Sequence, residues 1–116
     1  MYLHAQRGSG IFWPVIVLLS LILIGSNISS ASVTPKVAAG SHHSLALKSD
    51  GTVWAWGYNL YGGLGDGSNT DRHTPVQVSN FSGVIAVAGG YYHSLAVKSD
   101  GTVWAWGNNR YGQLGD

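Results

Sequence analysis

Two short segments of this chain alternate large apolar side chains with small or polar ones. Residues 43–48 read His-Ser-Leu-Ala-Leu-Lys, and residues 52–57 read Thr-Val-Trp-Ala-Trp-Gly. Successive side chains of a β-strand point to opposite faces of a sheet, so each segment predicts a strand with two different faces. Between them, Ser49-Asp50-Gly51 predicts a hairpin turn, because glycine accepts the positive φ that such turns require.

The same pattern recurs fifty residues later. Residues 37–66 and 87–116 align at that offset without a gap. The two copies differ only at the pairs Ala39/Gly89, Ser41/Tyr91, His42/Tyr92, Leu47/Val97, Tyr58/Asn108, Leu60/Arg110 and Gly63/Gln113. A fixed period of about 20–50 residues is typical of solenoids, propellers and arrays, in which each unit buries its apolar face by stacking on a neighbour.

Two further strands complete the predicted unit. The small residues at 37–40, and their longer counterpart at 84–90, predict a strand before the hairpin. Thr74–Val78 predicts another strand after a glycine-rich loop, and His73 falls in that loop. Four strands in fifty residues predict an all-β fold of propeller blades, each a four-stranded antiparallel sheet.

The repeated residues carry a family resemblance. Residues 38–66 read Ala-Ala-Gly-x-x-His-Ser-Leu-Ala-Leu-Lys-x-Asp-Gly-Thr-Val-Trp-Ala-Trp-Gly-x-Asn-x-Tyr-Gly-x-Leu-Gly-Asp, and residues 88–116 repeat this with small changes. The pattern closely resembles the repeat of the regulator of chromosome condensation family, in a bacterial-type exported member. The resemblance covers everything after about residue 36 and implies a β-propeller, commonly of seven blades.

Only about one and a half repeats are present. We assign the first repeat to residues 36–86 and the second to residues 87–116, which lack a counterpart of residues 67–81. We therefore expect a truncated polypeptide whose second blade has no fourth strand. Such a pair of blades exposes strand edges and blade faces, and needs further blades or self-association to close the fold.

A hydrophobic stretch precedes the repeats. Residues 11–24 are almost entirely apolar, follow Arg7 and lead into a run of small polar residues. As a helix they would span only about 21 Å of a hydrocarbon core of about 30 Å, which favours a signal peptide cleaved after Ala31. Extended through Ala31, the stretch is also long enough for an uncleaved signal-anchor. Both interpretations make residues 1–31 a targeting helix and place the repeats outside the cytoplasm, secreted or membrane-anchored through residues 11–31.

Charge narrows the classes of partner. The net charge is +1, from six basic and five acidic residues without any cluster. Binding to a nucleic acid backbone requires a basic patch, so we expect no nucleic acid partner. We expect contact with a membrane only through the N-terminal segment, and only if that segment is not cleaved. The chain has no cysteine, which excludes disulfides, thiolate metal sites and cysteine nucleophiles.

The residue types of a hydrolase triad are present in His43, Ser44 and Asp50. All three recur in the second repeat, and no strand–serine–helix elbow exposes the serine. His42 and His43 are adjacent in a strand and point to opposite faces, which disfavours joint metal ligation. We predict no catalytic residue, and interpret His43 as a buried imidazole that is hydrogen-bonded to a neighbouring loop or blade.

The glycine-rich loop has two features of ligand sites. Residues 62–67 are rich in glycine, as a phosphate-binding loop is, but they lack its Gly-Lys-Ser/Thr ending. Residues 66–71 carry oxygen atoms that suit calcium, but they lack the spacing and the terminal glutamate of an EF-hand. We therefore predict neither a cofactor nor a metal. The tryptophans Trp54, Trp56, Trp104 and Trp106 could form a stacking platform, but packing between blades accounts for them better.

Most differences between the two repeats fall in loops. The strands and turns barely change, as expected if a scaffold presents variable loops on one face. Neutral drift at tolerant loop positions explains the same differences. The candidate partner-binding residues are His42, Tyr58, Leu60, Tyr61, Tyr91, Tyr92, Arg110 and Tyr111.

Three functional hypotheses follow. The leading one is a non-catalytic, extracytoplasmic interaction module whose blade loops bind an unknown protein or a surface polymer. The alternative is the propeller region of a larger secreted enzyme with its catalytic domain elsewhere in the polypeptide. The resemblance also implies a remote possibility, guanine-nucleotide exchange on a nuclear GTPase, which the exported N-terminus and the absence of a basic tail disfavour.

Overall fold

The computed structural model describes residues 4–6 and 32–116. The targeting helix was predicted for residues 1–31; residues 4–6 of that segment form a strand, and the remainder, including the apolar stretch at residues 11–24, lies outside the described residues. Within the part of the chain that is described, no helix is long and apolar enough to cross a membrane.

The described residues form two four-stranded antiparallel sheets, one for each repeat. Blade 1 has the order β2-β3-β4-β5, with β2 at Lys36–Ala39, β3 at His43–Leu47, β4 at Val53–Gly57 and β5 at Arg72–Gln77. Blade 2 has the order β6-β7-β8-β1, with β6 at Val84–Gly89, β7 at His93–Lys98, β8 at Val103–Gly107 and β1 at His4–Gln6. The predicted all-β fold of antiparallel blades is confirmed.

Blade 2 differs from the prediction at its outermost strand. We expected no fourth strand there, and the structure supplies one from the N-terminus, with His4 opposite Ala105 and Gln6 opposite Val103. β1 pairs with β8 as β5 pairs with β4, where Val76 lies opposite Ala55. A strand of three residues has too few positions for a period of two to be detected, so its sequence carries no signal. A smaller correction concerns His73, which lies in β5 rather than in a loop.

The predicted hairpin turns are formed in both repeats by the same bonds. The Asp50 carboxylate accepts hydrogen bonds from the backbone N–H of Thr52 at 3.0 Å and from its hydroxyl at 2.6 Å. Asp100 binds Thr102 in the same way, at 2.9 and 2.6 Å. Gly51 has a φ of +79°, the left-handed conformation that this turn requires. These hydrogen bonds hold the pKa of Asp50 below its ordinary value of 3.8.

The core lies between the two blades. Each blade has an inner face, which contacts the other blade, and an outer face on the opposite side of its sheet. The inner face of blade 1 presents Leu45, Leu47, Val53 and Ala55, all almost fully buried. The inner face of blade 2 presents Ala96 and Trp106, the segment between the blades adds Val78 and Phe81, and Val84 at the start of β6 completes the core. The rings of Phe81 and Trp106 meet edge to face at 5.5 Å.

Candidate functional site

Loops from both repeats meet at one end of the blade junction. His42 immediately precedes β3, and its repeat counterpart Tyr92 immediately precedes β7. Tyr58 immediately follows β4, so its side chain emerges at the same end as His42. The hairpin of blade 1 therefore brings His42 and Tyr58 to one end of the blade, and packing of blade 2 against blade 1 adds Tyr92 there.

Five rings form a continuous aromatic cluster at this edge. Its members are His42, Tyr58, Tyr61, Tyr91 and Tyr92. Tyr92 is central: its ring centroid lies 5.2 Å from those of His42 and Tyr61, 5.3 Å from that of Tyr58 and 4.5 Å from that of Tyr91. Centroid distances of about 4.5–7 Å are those of favourable aromatic pairs. Blade 1 and blade 2 both contribute, so the cluster exists only when the two blades are packed together.

The backbone beneath the cluster is tightly constrained. The Tyr58 N–H donates to the His42 carbonyl at 2.9 Å, and the Asn108 N–H donates to the Tyr92 carbonyl at 3.0 Å. Gly57 has a φ of +111°, and a Cβ at this position would lie 2.6 Å from the His42 carbonyl oxygen. Only glycine permits that approach, and the loop ends that carry His42 and Tyr58 are thereby joined.

The long loop of blade 1 is organised by Asn59, which is fully buried. Its side-chain Nδ2 donates to the carbonyls of Ser68 and Thr70, both at 3.0 Å, and to the Asp66 carboxylate at 3.1 Å. Its Oδ1 accepts a hydrogen bond from the Leu64 N–H at 3.0 Å. A single amide therefore holds the two sides of the loop together and fixes Tyr58 and Tyr61 on either side of it.

An ion pair rigidifies the same loop. Arg72 Nε lies 2.8 Å from Asp66 Oδ2, and the Asp66 side chain is 6% exposed. Burial opposes ionisation of Asp66, but the hydrogen bonds from Arg72, Ser68 and Asn59 together hold its pKa below the ordinary value of 3.8. The stretch that we considered as a cation site is thus occupied by internal hydrogen bonds. Within residues 32–116, no group of three or more His, Asp or Glu side chains is arranged to hold a metal ion.

The cluster combines a protected centre with an exposed rim. Tyr61 is 46% exposed and Tyr91 is 60% exposed, whereas Tyr92 is half-buried among its neighbours. Burial raises the pKa of Tyr92 above 10.0, and neighbouring Tyr91 raises it further. Burial also raises the pKa of Tyr58, with Tyr61 and Asp71 adding to the effect. Both hydroxyls stay protonated at neutral pH, so the surface offers neutral hydrogen-bond donors beside apolar ring area.

A buried hydrogen-bond network connects the blades directly below the cluster. The Ser94 hydroxyl of blade 2 donates to the Gly63 carbonyl of blade 1 at 2.7 Å, and Trp106 Nε1 donates to the same carbonyl at 2.9 Å. His43 Nε2 lies 2.9 Å from the Ser94 oxygen. Because Ser94 has given its only proton to Gly63, His43 is the donor and carries its proton on Nε2. The prediction of a buried His43 bound to the neighbouring blade is confirmed.

His43 is held in its neutral form. Burial lowers its pKa below 6.5, and the nearby His93 and His42 rings lower it further. The interpretation of His43, Ser44 and Asp50 as a triad finds no geometric support, since the serine bonded to His43 is Ser94 and Asp50 is engaged in its own turn. The Ser94 proton points to a carbonyl rather than to a base.

The candidate binding residues separate into two groups. His42, Tyr58, Tyr61, Tyr91 and Tyr92 are brought together in the aromatic cluster. Arg110 and Tyr111 lie in the equivalent loop of blade 2 and contact each other, with the guanidinium carbon 5.6 Å from the ring centroid. Tyr111 is 84% exposed, and Leu60, in the loop of blade 1, is 54% exposed.

Three structurally decisive groups were missed by sequence reasoning: Ser94, the Gly63 carbonyl and Asn59. Asn59 and Asn109 occur at the same place in both repeats, which was a usable signal for a loop organiser. Ser94 had no such signal, because Ser44 is its identical counterpart and makes none of these contacts. The two serines differ in burial because Ser94 lies on the inner face of blade 2, which blade 1 covers, whereas Ser44 lies on the outer face of blade 1.

Two family models match the chain. Both are described as the regulator of chromosome condensation (RCC1) repeat; one matches residues 50–97 and the other matches residues 36–62 and 84–113. Together the matched residues include every strand of the two blades except the N-terminal β1.

Similar sequences occur in much longer proteins. The chain is 43% identical over 49 residues to the ultraviolet-B receptor UVR8 of Arabidopsis thaliana, a match that covers 42% of this chain and 11% of the receptor. It is 48% identical over 42 residues to the human E3 ubiquitin-protein ligase HERC2, covering 36% of this chain and 1% of the ligase. The chain therefore spans only a small part of the length of these relatives.

Solved structures show the same arrangement of blades. Human WBSCR16 matches with a TM-score of 0.64 at 33% identity, over 72% of this chain and 22% of that protein. Prp20p of Saccharomyces cerevisiae, studied for its binding to Gsp1p and histones, matches with a TM-score of 0.60 at 34% identity, over 70% of this chain and 20% of its own length. Together with the matched repeats, these similarities show that residues 36–113 belong to the RCC1 repeat family of β-propellers.

Proposed function

We propose that this chain is a non-catalytic, extracytoplasmic interaction module that binds another protein through the aromatic cluster. The observation that carries the proposal is the convergence of five rings from both repeats on one edge, with Tyr61 and Tyr91 exposed around the half-buried Tyr92. Tyrosine is enriched among residues that dominate binding energy at protein interfaces, and such residues cluster. Here they are fixed in advance by Asn59 and by the glycine-constrained loop ends, which lowers the entropy lost on binding.

The ring geometry favours a protein over a surface polymer. A carbohydrate chain stacks on ring faces that lie open side by side. In the cluster the rings cover one another, with interplanar angles from 27° for His42 and Tyr92 to 89° for Tyr91 and Tyr92. Only His42 and Tyr92 come close to parallel, so the cluster lacks a row of parallel ring faces for a sugar chain, and its varied ring orientations suit an irregular protein surface.

The non-catalytic part of the proposal rests on how the reactive side chains are used. His43 and Ser94 join the blades, and Asp66 binds Arg72 within the loop. Asp50 and Asp100 stabilise hairpin turns. Each of these groups has a structural role that its hydrogen bonds explain.

The extracytoplasmic location rests on the N-terminal sequence, and it implies that β1 leaves blade 2 on export, because residues 4–6 precede the apolar stretch. Residues 11–24 have the length and the flanking Arg7 of an export signal. A fusion of alkaline phosphatase after residue 36 tests this directly, because that reporter is active only outside the cytoplasm. We expect an active fusion, and an inactive one with residues 11–24 removed; an intact but inactive full fusion would contradict the location.

Site-specific photo-crosslinking tests protein binding by the cluster. A benzophenone amino acid in place of Tyr91 should give a discrete adduct with a partner in cells that export the chain. The matched control is the same substitution at Tyr111, a more exposed tyrosine outside the cluster. We expect the adduct at position 91 to be degraded by protease and not by glycosidase, and to be absent at position 111.

Two outcomes would contradict this proposal. An adduct removed by glycosidase would identify a surface polymer as the partner. Equal adducts at positions 91 and 111, or none at either, would show that the cluster is not the binding surface.

A second candidate function follows from the length of the relatives. HERC2 is an E3 ubiquitin-protein ligase of which the match covers 1%, so RCC1 repeats do occur within far longer enzymes. The chain would then be the propeller region of a larger secreted enzyme. Reading the gene beyond codon 116 distinguishes the two: further repeats alone favour the binding module, whereas a new catalytic domain favours the enzyme.

A further inference from the structure

An acidic side chain lies beside the aromatic cluster. Asp71 Oδ1 accepts a hydrogen bond of 2.7 Å from the backbone N–H of Asn59, the residue that directly follows Tyr58. After burial and Tyr61, the Asp71 carboxylate is the third cause that raises the pKa of Tyr58, so its charge acts on the cluster. Asp71 is exposed, and its second oxygen, Oδ2, has no hydrogen-bond donor among residues 32–116. A fixed negative charge and several tyrosine rings therefore share one surface.

No lysine or arginine of residues 32–116 neutralises this surface. The described part of the chain has Lys36, Lys48, Arg72, Lys98 and Arg110. The three lysines lie at the opposite end of the blades, where β2 begins and where β3 and β7 end. Arg72 is paired with Asp66, and Arg110 lies over Tyr111. The Asp71 carboxylate therefore has no cationic partner among the described residues.

Elsewhere in the chain, aromatic rings are covered by cations. The Lys48 ammonium lies 5.2 Å from the ring centroid of Trp54, and the Lys98 ammonium lies 5.4 Å from that of Trp104. A cation within about 6 Å of a ring centroid is attracted to the negative face of the ring. The aromatic cluster has more rings than any other group in residues 32–116, and no lysine or arginine of those residues covers it.

The exposure of the two rim tyrosines does not depend on where the chain begins or ends. Tyr61 lies on the side of blade 1 that contacts blade 2, and it is exposed in spite of that contact. Tyr91 is the repeat counterpart of Ser41, whose backbone N–H donates to the Gly90 carbonyl of blade 2. Ser41 is exposed although blade 2 packs against it. A further blade in the same arrangement would therefore leave Tyr91 accessible.

We infer that the aromatic cluster and Asp71 together form a binding site for an arginine side chain of the partner protein. A guanidinium group is planar, so it stacks on a tyrosine ring and still donates hydrogen bonds to a carboxylate. A lysine ammonium is more strongly hydrated and does not stack in this way. Arginine and tyrosine are both enriched where binding energy concentrates at protein interfaces. The origin of the arginine in a partner protein rests on the proposed function, whereas the site itself rests on the geometry.

Titration of the full chain with N-acetylarginine amide tests the site. The readout is the NMR chemical shift of the Tyr61 and Tyr91 ring protons. The control probe is N-acetylcitrulline amide, which has nearly the same shape and no charge. We expect saturable shifts with the arginine probe and none with the citrulline probe. Added salt should weaken binding of the arginine probe, because ions screen exposed charges.

Variants with one charge or one ring removed identify the groups that bind the probe. Asp71→Asn keeps an oxygen for the Asn59 N–H but loses the charge, so the dissociation constant of the arginine probe should rise about three- to fivefold. Asp100→Asn removes the same charge at the hairpin turn of blade 2, at the other end of the blade, and should leave the constant unchanged. Tyr91→Ala should weaken binding, whereas Tyr111→Ala, outside the cluster, should not.

The adduct captured at position 91 tests whether a partner protein supplies the arginine. Mass spectrometry of the adduct should place an arginine of the partner close to the cross-linked residue. Asp71→Asn should lower the yield of this adduct, and Asp100→Asn should leave the yield unchanged. An adduct whose partner segment contains no arginine would contradict the inference.

Other results would overturn the arginine site itself. Equal shifts from both probes, or an unchanged dissociation constant in Asp71→Asn, would show that charge does not contribute to binding. Saturable shifts confined to Tyr111 would assign the cation to the loop of blade 2. Each of these results leaves the proposed function standing if the adduct at position 91 forms. Arginine binding without any such adduct would instead refute the proposed function and leave the site supported.

Discussion

At the scale of single residues, chemically identical side chains differ in energetic role according to the face on which they lie. Ser94 and Ser44 occupy the same repeat position, yet only Ser94 is fully buried with a donor and an acceptor as partners. A buried polar group that loses its partner costs about 1–3 kcal/mol, because the remaining group stays desolvated.

We predict that Ser94→Ala lowers the free energy of unfolding by about 1–3 kcal/mol, since both His43 and the Gly63 carbonyl lose a partner. Ser44→Ala is the matched control and should change it by less than about 0.5 kcal/mol in the monomer. Urea unfolding followed by tryptophan fluorescence at low protein concentration measures both. Equal effects of the two substitutions would contradict the assignment of Ser94 to the blade junction.

We predict that stability falls as the pH drops below 6.5, in part through His43. Burial lowers the pKa of His43 in the folded chain, so the unfolded chain binds more protons between that lowered pKa and 6.5. The contribution of His43 is fully present above 6.5 and is lost as the pH falls through its folded pKa. His43→Gln should remove this part of the pH dependence of the free energy of unfolding; an unchanged slope would contradict it.

The burial of His43 could be predicted from the sequence, but the residue that it binds could not. The burial of His43 and its bond to a neighbouring blade followed from its place in an alternating strand. Its partner did not, because the bond joins residues 51 positions apart and depends on which faces stack. The candidate ring residues were predicted as a set, but Tyr61 contacts Tyr92 of blade 2, whereas its counterpart Tyr111 is 84% exposed among the described residues.

At the scale of elements, the hairpins depend on local turn chemistry and the long loop depends on one buried amide. The Asp50 and Asp100 turns repeat with nearly the same distances, so their local sequence is sufficient to form them. The loop of blade 1 instead converges on Asn59, which is bound by three backbone or carboxylate acceptors and one N–H donor.

We predict that Asn59→Ala lowers the free energy of unfolding by roughly 2–3 kcal/mol, because several buried partners lose their hydrogen bonds together. It should also weaken partner capture at position 91, since Tyr58 and Tyr61 flank Asn59. Asn109→Ala is the matched control: Asn109 is exposed, and its effect should be clearly smaller. A result in which Asn109→Ala is the more damaging would refute the assigned role of Asn59.

The strands with an alternating sequence were predicted most accurately, and the one strand of the described residues that was missed is β1. β3, β4, β7 and β8 follow the alternation of residues 43–57 and 93–107 closely. β1 was missed because three residues without alternation are recruited by an open edge of β8 and not by their own propensity. β5 begins at Arg72, two residues earlier than predicted, because pairing of Gly57 with Arg72 extends the strand past an irregularity in β4.

At the scale of the whole molecule, stability comes from the face shared by the two blades. Trp106 is fully buried there, and Phe81 meets it edge to face. Trp56, its counterpart in blade 1, lies half-buried on an outer face. The same tryptophan in two copies of one repeat thus reports the presence or absence of a neighbouring blade.

We predict that Trp106→Ala lowers the free energy of unfolding by about 3–5 kcal/mol, since it leaves a cavity between the blades and removes a bond to Gly63. Trp56→Ala should cost much less, because its ring is already partly in water. Chemical unfolding of both variants, followed by circular dichroism, measures the difference. Comparable losses would mean that the shared face is not where the core lies.

The stacking of the two repeats through His43 and Ser94 is tested most directly by a double-mutant cycle. Free energies of unfolding are measured for the wild type, His43→Ala, Ser94→Ala and the double variant. We expect a coupling energy of about 1 kcal/mol, because the two side chains share a buried hydrogen bond across the blades. A coupling energy indistinguishable from zero would show that the repeats do not meet through these faces, and would contradict the account.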